Sequence, residues 1–362
     1  VITSRTLWLL RELRAAIGSE TDQVVRQLAG AWVTAWATLD TVWQHAVADI
    51  LDDMASTGQW PAPYRLARLH RLAAAATQTR AALDALAAQT ATAATTGAGN
   101  IVAATAAAEP AIMASQLPAA VAAAAIEGYA AAVAPSALEA IVLRAQQQIH
   151  AVTWPLSADA IESLRRALIA GVATGMHPRD TARAMLRNVQ GAFNGGLTRA
   201  INLARTEMLD AYRDTSAQVH QANADVVDCW VWISDLGTRC CASCWSMHGT
   251  EHPVETPGPL DHQSGRCSRM AKLKSWAELG IPGMESDEDL IPKAADRFAA
   301  LSPADKRRVM GPRRLALLTS GRVDLADLAM RRTTIGWRPS YVPRPVGQLE
   351  QIAARRRRDT TT

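Results

Sequence analysis

Between Val25 and Met54 the apolar residues Val25, Leu28, Trp32, Trp36, Leu39, Trp43, Val47, Ile50 and Met54 follow one another at intervals of three or four, with Asp40, Gln44, Asp49 and Asp53 set between them. At 3.6 residues per turn this pattern puts the first set on one face of a helix and the second on the other. About eight turns of helix with one continuous apolar stripe cannot stand alone in water. Ser19 with Asp22 predicts its start, and Gly58, Pro61 and Pro63 predict its stop. A second helix carrying Leu66, Leu69, Ala73, Ala76, Leu83 and Leu86 offers a partner within the chain, an antiparallel hairpin over residues 1–90 in which alanine permits close approach. A second subunit is the other available partner.

The rest of the chain is less uniform. Residues 91–150 thin to alanine and threonine, interrupted by Gly97, Gly99, Pro110, Pro118, Gly128 and Pro135, with no Lys or Arg between Arg80 and Arg144. They read either as broken helices in an arm or as a low-complexity spacer. Ile161, Leu164, Leu168 and Val172 predict a helix ending at Gly175. Pro178 opens another, which Gly195-Gly196 is expected to end, and a third runs from Leu197 to about Gln221. In Val226–Ser234 the alternation of Cys229, Val231 and Ile233 with Trp230 and Trp232 predicts a strand. Asp296–Met310 and Arg313–Met330 read as two helices, followed by a Pro-rich stretch and a run of arginines.

Composition bounds the class. In 362 residues, 49% hydrophobic and 20% charged, there is enough apolar material for several folded domains. The 11 Trp outnumber the 4 Tyr and 2 Phe, so indoles are the expected core markers. Only four of the 38 basic residues are Lys, which fits a GC-rich coding bias as well as phosphate recognition by arginine. From Ile281 onward there are 16 basic against 10 acidic residues, so the whole positive excess of the chain lies there. Leu7-Trp8-Leu9-Leu10 is cut off by Arg11 and Arg14 and does not read as a targeting signal, and the Ala-rich stretches are too poor in large apolar residues for an expected membrane span.

All five cysteines (229, 240, 241, 244 and 267) fall within 39 residues, which is a metal-site distribution rather than a disulfide framework. Cys241-x-x-Cys244 puts two thiolates on one tight turn, and His262 with Cys267 supplies a second pair from another element. The predicted ligand set is Cys241, Cys244, His262 and Cys267, holding a structural zinc. Cys240, His248 and His252 compete for the role, and reduced loop thiols without metal are the plain alternative. Glu251 and Glu255 could serve as bases for hydrolysis, but four ligands leave no open position for it.

Ala204-Arg205-Thr206-Glu207, Trp230-x-Trp232, Arg239-Cys240-Cys241-x-x-Cys244, His248-Gly249 and His262-x-x-Gly265-Arg266-Cys267 together resemble the phage Mu F-like minor head proteins, the phage head morphogenesis family. The resemblance covers roughly residues 157–273, with Arg313 and Gly321 similar to the segment that often follows. Two positions depart from the family pattern. Cys240 stands where the family usually has Thr, and Gly265 where it usually has the first Cys of a CysArgCys triplet. The resemblance implies a minor capsid protein of the virion, near the portal vertex, made and assembled in the host cytoplasm. It implies portal and other head proteins as partners, a link to DNA packaging or delivery, no small-molecule substrate and no catalysis. Arg205, Glu207, Trp230, Trp232 and Gly249 are the family-typical positions it marks, with Arg205 and Glu207 either fixing the Cys module or lying on a solvated helix face.

The expected fold is mainly α with a small α+β Cys/His module. It comprises the hairpin over 1–90, the Ala-rich part over 91–150, the head-morphogenesis domain over 151–280 and a basic helical region with a tail over 281–362. A nucleic-acid-binding zinc protein is the competing function. Its support is Arg355, Arg356, Arg357 and Arg358, which adjoin a single acid, Asp359, and which fit either packaged DNA or a solvated tail. Against it, Val226–Leu260 holds one Arg and no Lys.

Overall fold

The apolar stripe is one face of α1 (Ser4–Thr57), a continuous 54-residue helix in a computed structural model that describes residues 1–57, 70–153, 178–283, 289–334 and 337–359. The helix begins well before the predicted start at Ser19. Leu10, Leu13, Ile17, Thr21 and Val24 are buried, so the three-or-four spacing already runs unbroken from the first turns, and Val24 rather than Val25 belongs to the buried line.

The alanine-rich stretch needs the larger correction. α2 (His70–Ala114) passes without a break through Gly97, Gly99 and Pro110. A methyl group on Gly97 would collide with Met208 and Val24, so this glycine marks a close helix approach rather than a helix end. Thr90 and Thr105, both buried, satisfy their hydroxyls on the carbonyls of Leu86 and Ile101 one turn back, each at 2.7 Å. Only Pro118 and Pro135 interrupt the region as predicted, separating α2 from α3 (Ala119–Ala131) and opening α4 (Pro135–Thr153). α5 (Pro178–Ala222) starts at Pro178 as expected but continues through Gly195-Gly196, held on either side of them by buried Phe193 and Ala200. The helix predicted over 161–175 lies outside the described residues. No single described helix is long and apolar enough to cross a membrane; α3 with most of α4 passes on length and composition only as a pair bent by 60°.

The chain divides into two compact units, one of Val1–Gly18, Asn100–Ile141 and Leu209–Thr362, the other of Ser19–Gly99 and Val142–Met208. The second unit is built on Trp32, Leu39, Trp43, Leu83, Leu86 and Phe193. Its indoles are also hydrogen-bonded, Trp32 to the Phe193 carbonyl at 3.2 Å and Trp43 to Thr79 Oγ1 at 2.9 Å. Trp32→Ala is therefore expected to lower unfolding free energy by about 3–5 kcal/mol. Urea denaturation checks it, and a change below about 1 kcal/mol would remove Trp32 from the core.

In the first unit, β1 (Val227–Ile233) is the centre of a three-stranded antiparallel sheet, between β2 (Glu251–Pro253) and β3 (Ser268–Leu273). The short helix α6 (Ala242–Met247) lies between β1 and β2 in sequence. A buried polar chain ties helices to this sheet. Glu109 of α2 accepts from Ser216 Oγ at 2.5 Å and faces His220 Nε2 at 3.2 Å, both on α5. Arg269 Nε of β3 donates to His220 Nδ1 at 3.1 Å, and its guanidinium lies 4.7 Å from the Trp230 ring centroid. None of Glu109, Ser216, His220 or Arg269 exposes any surface.

The C-terminal part departs from the two predicted helices. It contains α7 (Ala294–Ala299), α8 (Pro303–Met310), α9 (Pro312–Thr319) and a 3-10 turn at Leu325–Leu328. Then come the two-stranded ribbon of β4 (Ala329–Thr334) and β5 (Trp337–Pro343), and α10 (Val346–Asp359). Every second N–H of β5 faces away from β4, so Pro339 and Pro343 fit there despite lacking an N–H, while Tyr341 between them donates to the Leu260 carbonyl at 2.7 Å. The arginine run is not a loose tail. Arg355, Arg356, Arg357 and Arg358 end α10, which buries Leu349 and Ala353 in a core with Trp245, Phe298 and Leu317. Arg356 reaches Asp324 at 3.0 Å and Asp327 at 2.8 Å, so a pairing that Asp359 alone could not supply comes from the 3-10 turn.

Candidate metal centre

The predicted ligands come together in two groups that share Cys244: Cys241 and His262 join it in one, Asp261 and Cys267 in the other. β1 leads into Cys240 and Cys241, and Cys241 is the N-cap of α6, so one turn of helix returns Cys244 towards it. The two sulfurs lie 3.5 Å apart. Gly249, at φ 82°, makes the turn out of α6; its N–H donates to the Trp232 carbonyl at 2.8 Å, and Trp232 N donates to the Thr250 carbonyl at 2.9 Å. From the other side, His262 Nε2 lies 3.8 Å from Cys244 Sγ. The ligand atoms of Cys241, Cys244 and His262 are all within 4.8 Å of one another, and so are those of Cys244, Asp261 and Cys267.

This cluster can hold a metal ion. A tetrahedral zinc with Zn–S bonds of about 2.3 Å has sulfurs about 3.8 Å apart, a little more than the 3.5 Å between Cys241 and Cys244. His262 Nδ1 sits 2.9 Å from the Gln263 carbonyl, which fixes the proton on Nδ1 and turns the Nε2 lone pair to the thiols. Without metal the cluster shares protons. The hydrogen bond from Cys244, with His262 beside it, holds Cys241 down to about 4, and Cys241 in turn raises His262 to about 9. Cys244, whose proton serves Cys240, Cys241 and Cys267, is pushed up. Metal uptake must displace those protons.

Of the competing ligands, the two histidines are engaged elsewhere and Cys240 stays beside the cluster. His248 accepts from Ser234 N at 3.0 Å and its Nε2 is 2.9 Å from the Pro292 carbonyl, so both ring nitrogens are committed. His252 stacks on Trp230 with centroids 4.3 Å apart and bonds Thr250 Oγ1 at 2.9 Å. Glu251 pairs with Lys272 at 2.9 Å. Cys229 stands away on β1, raised to about 12 mainly by burial. Cys240 remains next to the set, lowered to about 7 by its hydrogen bond with Cys244.

Trp230 and Trp232 are buried against this site, packed in one cluster with Cys244, Met247 and Cys267. Arg205 pairs with Asp22 of α1 at 3.9 Å, and both residues, like Glu207, lie in the second unit. The α5 residue that reaches the cysteine loop is Arg213, about two turns further on. Buried to 3% exposure, it donates from Nε to the Cys267 carbonyl at 2.9 Å, from Nη1 to Asp210 at 2.7 Å and from Nη2 to the Gly265 carbonyl. Arg338 of β5 clasps the same Asp210 at 2.7 and 2.9 Å and donates to the Asp261 carbonyl at 2.9 Å. Sequence reasoning missed Arg213, Asp210, Asp261 and Arg338; the only trace was that Arg213 and Asp210 stand three apart on α5, on the side of the buried Ala211 and Tyr212.

Comparison with protein-family models, with curated proteins and with solved structures returned no match.

Proposed function

We propose that the chain is a minor head protein of a tailed phage, built into the capsid near the portal vertex and acting in head assembly and in DNA packaging or delivery. The observation that carries this reading is the convergence of segments far apart in sequence: the Trp230-x-Trp232 strand, the Cys241-x-x-Cys244 turn and the His262 to Cys267 loop meet around one cluster. Those are the segments on which the resemblance to the head morphogenesis family rests. In this reading the metal is zinc, held by Cys241, Cys244, His262 and Cys267, and its role is to fix the loop; four protein ligands close the site to substrate. The protein is accordingly structural rather than catalytic, with portal and other head proteins as partners.

Mass spectrometry of purified heads, from the phage whose genome encodes the chain, tests the reading. A few copies per particle, lost from particles made without the portal protein, are expected; absence from heads would overturn it.

DNA is proposed as a further partner, through α10. Of its four terminal arginines, Arg356 is committed to Asp324 and Asp327, so the run serves the protein's own packing as well as any phosphate it meets. Truncation after Ala354 is then expected to make the slope of log K against log salt shallower, by about 0.9 for each arginine of the run that reaches a phosphate. Identical slopes for the two chains would assign the run to the protein's own packing.

A further inference from the structure

Gly265 and Asp261 explain each other. A Cβ built on Gly265 would stand 2.6 Å from Asp261 Oδ1 and closer still to Oδ2 and the carboxyl carbon, so no residue other than glycine fits while Asp261 keeps its place. That place is specific. Asp261, 1% exposed, accepts from the backbone N–H of His262 at 2.8 Å with Oδ1 and from that of Cys267 at 3.0 Å with Oδ2. The same Oδ2 faces Arg213 Nη2 at 3.4 Å. One carboxylate thus grips the amides of both ligands that the second loop contributes, and Arg213, bonded to the carbonyls of Gly265 and Cys267, closes the ring from α5. Resting on the zinc reading above, we infer that Asp261 is the positioning residue of the metal centre: it sets the His262 to Cys267 loop in the ligating shape, and Gly265 is required to admit it.

Two features separate this role from direct ligation and from general stability. Both Asp261 oxygens are already engaged by N–H groups, whereas Cys241, Cys244 and His262 bring their ligand atoms within 4.8 Å of one another without Asp261, and Cys267 joins them through Cys244. Outer partners of this kind act on affinity rather than on ligand count. An amide in place of the carboxylate keeps one acceptor and turns an N–H₂ towards the other donor, so Asp261→Asn keeps the shape and breaks one of the two holds. Gly265→Ala should displace Asp261 and produce the same defect from the other side.

The test measures zinc affinity of the full chain by competition with a chromophoric chelator and records the absorption of the Co²⁺-loaded protein. Asp261→Asn and Gly265→Ala are each expected to weaken zinc by about 10–100-fold. At saturating Co²⁺ the thiolate charge-transfer and d–d bands should match the wild type, because the ligands are unchanged. In an Asp261→Gly background, Gly265→Ala should add no further loss, since the collision is gone. Wild-type affinity in Asp261→Asn would overturn the inference while leaving the zinc reading intact. A changed d–d spectrum at saturation would make Asp261 a ligand and overturn it too. A wild-type chain that takes up no zinc at all would overturn both. Helix content and thermal midpoint, followed on each variant, identify any loss that comes from unfolding, and Glu207→Gln, placed in the second unit, should bind zinc as the wild type does.

Discussion

Cys244→Ala is expected to abolish stoichiometric metal binding, with about one zinc per chain in the parent protein and none in the variant. Cys244 is the hub of the cluster: its sulfur lies 3.5 Å from that of Cys241 and 3.8 Å from His262 Nε2, and it groups with Cys267 as well. Without it the two halves of the site have no common member. Metal binding in such modules is worth about 10–16 kcal/mol at pH 7, far more than the short sheet and the six-residue α6 can supply by themselves. The consequence should be local. Amide hydrogen exchange is expected to accelerate at β1, β3 and the loop between His262 and Cys267. The core of Trp32, Trp43, Leu83 and Phe193 contains none of the four ligands and should keep its protection. Elemental analysis of protein purified without chelator decides the matter. A metal-free parent chain, or a Cys244→Ala chain that retains its zinc, would remove the site assignment.

The helical stripe and the metal cluster were legible in the sequence because each is written in residue types that have few other uses. Tryptophan at three-or-four spacing says where a helix is buried, and Cys-x-x-Cys says where a turn brings two donors together. The alanine-rich α2 was not legible for the opposite reason. Alanine and threonine serve equally in a buried helix and in a spacer, and Gly97 looks like a break until Met208 is seen lying against it. Gly195-Gly196 misled in the same way, since Phe193 and Ala200 hold α5 together across the pair. The hairpin of β4 and β5 was hidden by Arg331, Arg332, Pro339 and Pro343, none of which favours a strand, though a two-stranded ribbon tolerates all four. The supports of the metal loop were hidden by distance: Asp210, Arg213, Asp261 and Arg338 come from three separate stretches of chain, and nothing local in any of them points to the others.

Glu109→Ala should be among the most destabilising single substitutions in the first unit, by about 3–5 kcal/mol. Glu109 is the only charged residue between Asp84 and Glu127, and a lone charge in so apolar a helix is a signal that it is paired inside. Arg269 Nε donates to His220 Nδ1, so the imidazole carries its proton on Nε2 and passes a hydrogen bond to Glu109; Arg269 and Glu109 balance each other through a neutral histidine. Burial lowers Arg269 to about 9, and Glu109 is the group that works against this. Removing the carboxylate leaves a buried guanidinium without its counter-charge, although the Val254 carbonyl at 3.2 Å and the Trp230 face remain. Arg269→Met should therefore recover part of the loss in the Glu109→Ala background, because it removes the stranded charge. The histidine adds a pH signature. Burial, the largest influence on His220, lowers its pKa below the ordinary 6.5, so below about pH 6.5 the unfolded chain takes up a proton that the folded chain refuses. Stability therefore declines as pH falls from 6.5 towards the folded value, and His220→Gln should flatten that part of the profile. Urea titrations of the parent chain, Glu109→Ala, Arg269→Met, the double variant and His220→Gln at pH 7.5 and 5.5 measure both effects. A Glu109→Ala loss below about 1 kcal/mol, or additive losses in the double variant, would show that the relay does not hold helices α2 and α5 to the sheet.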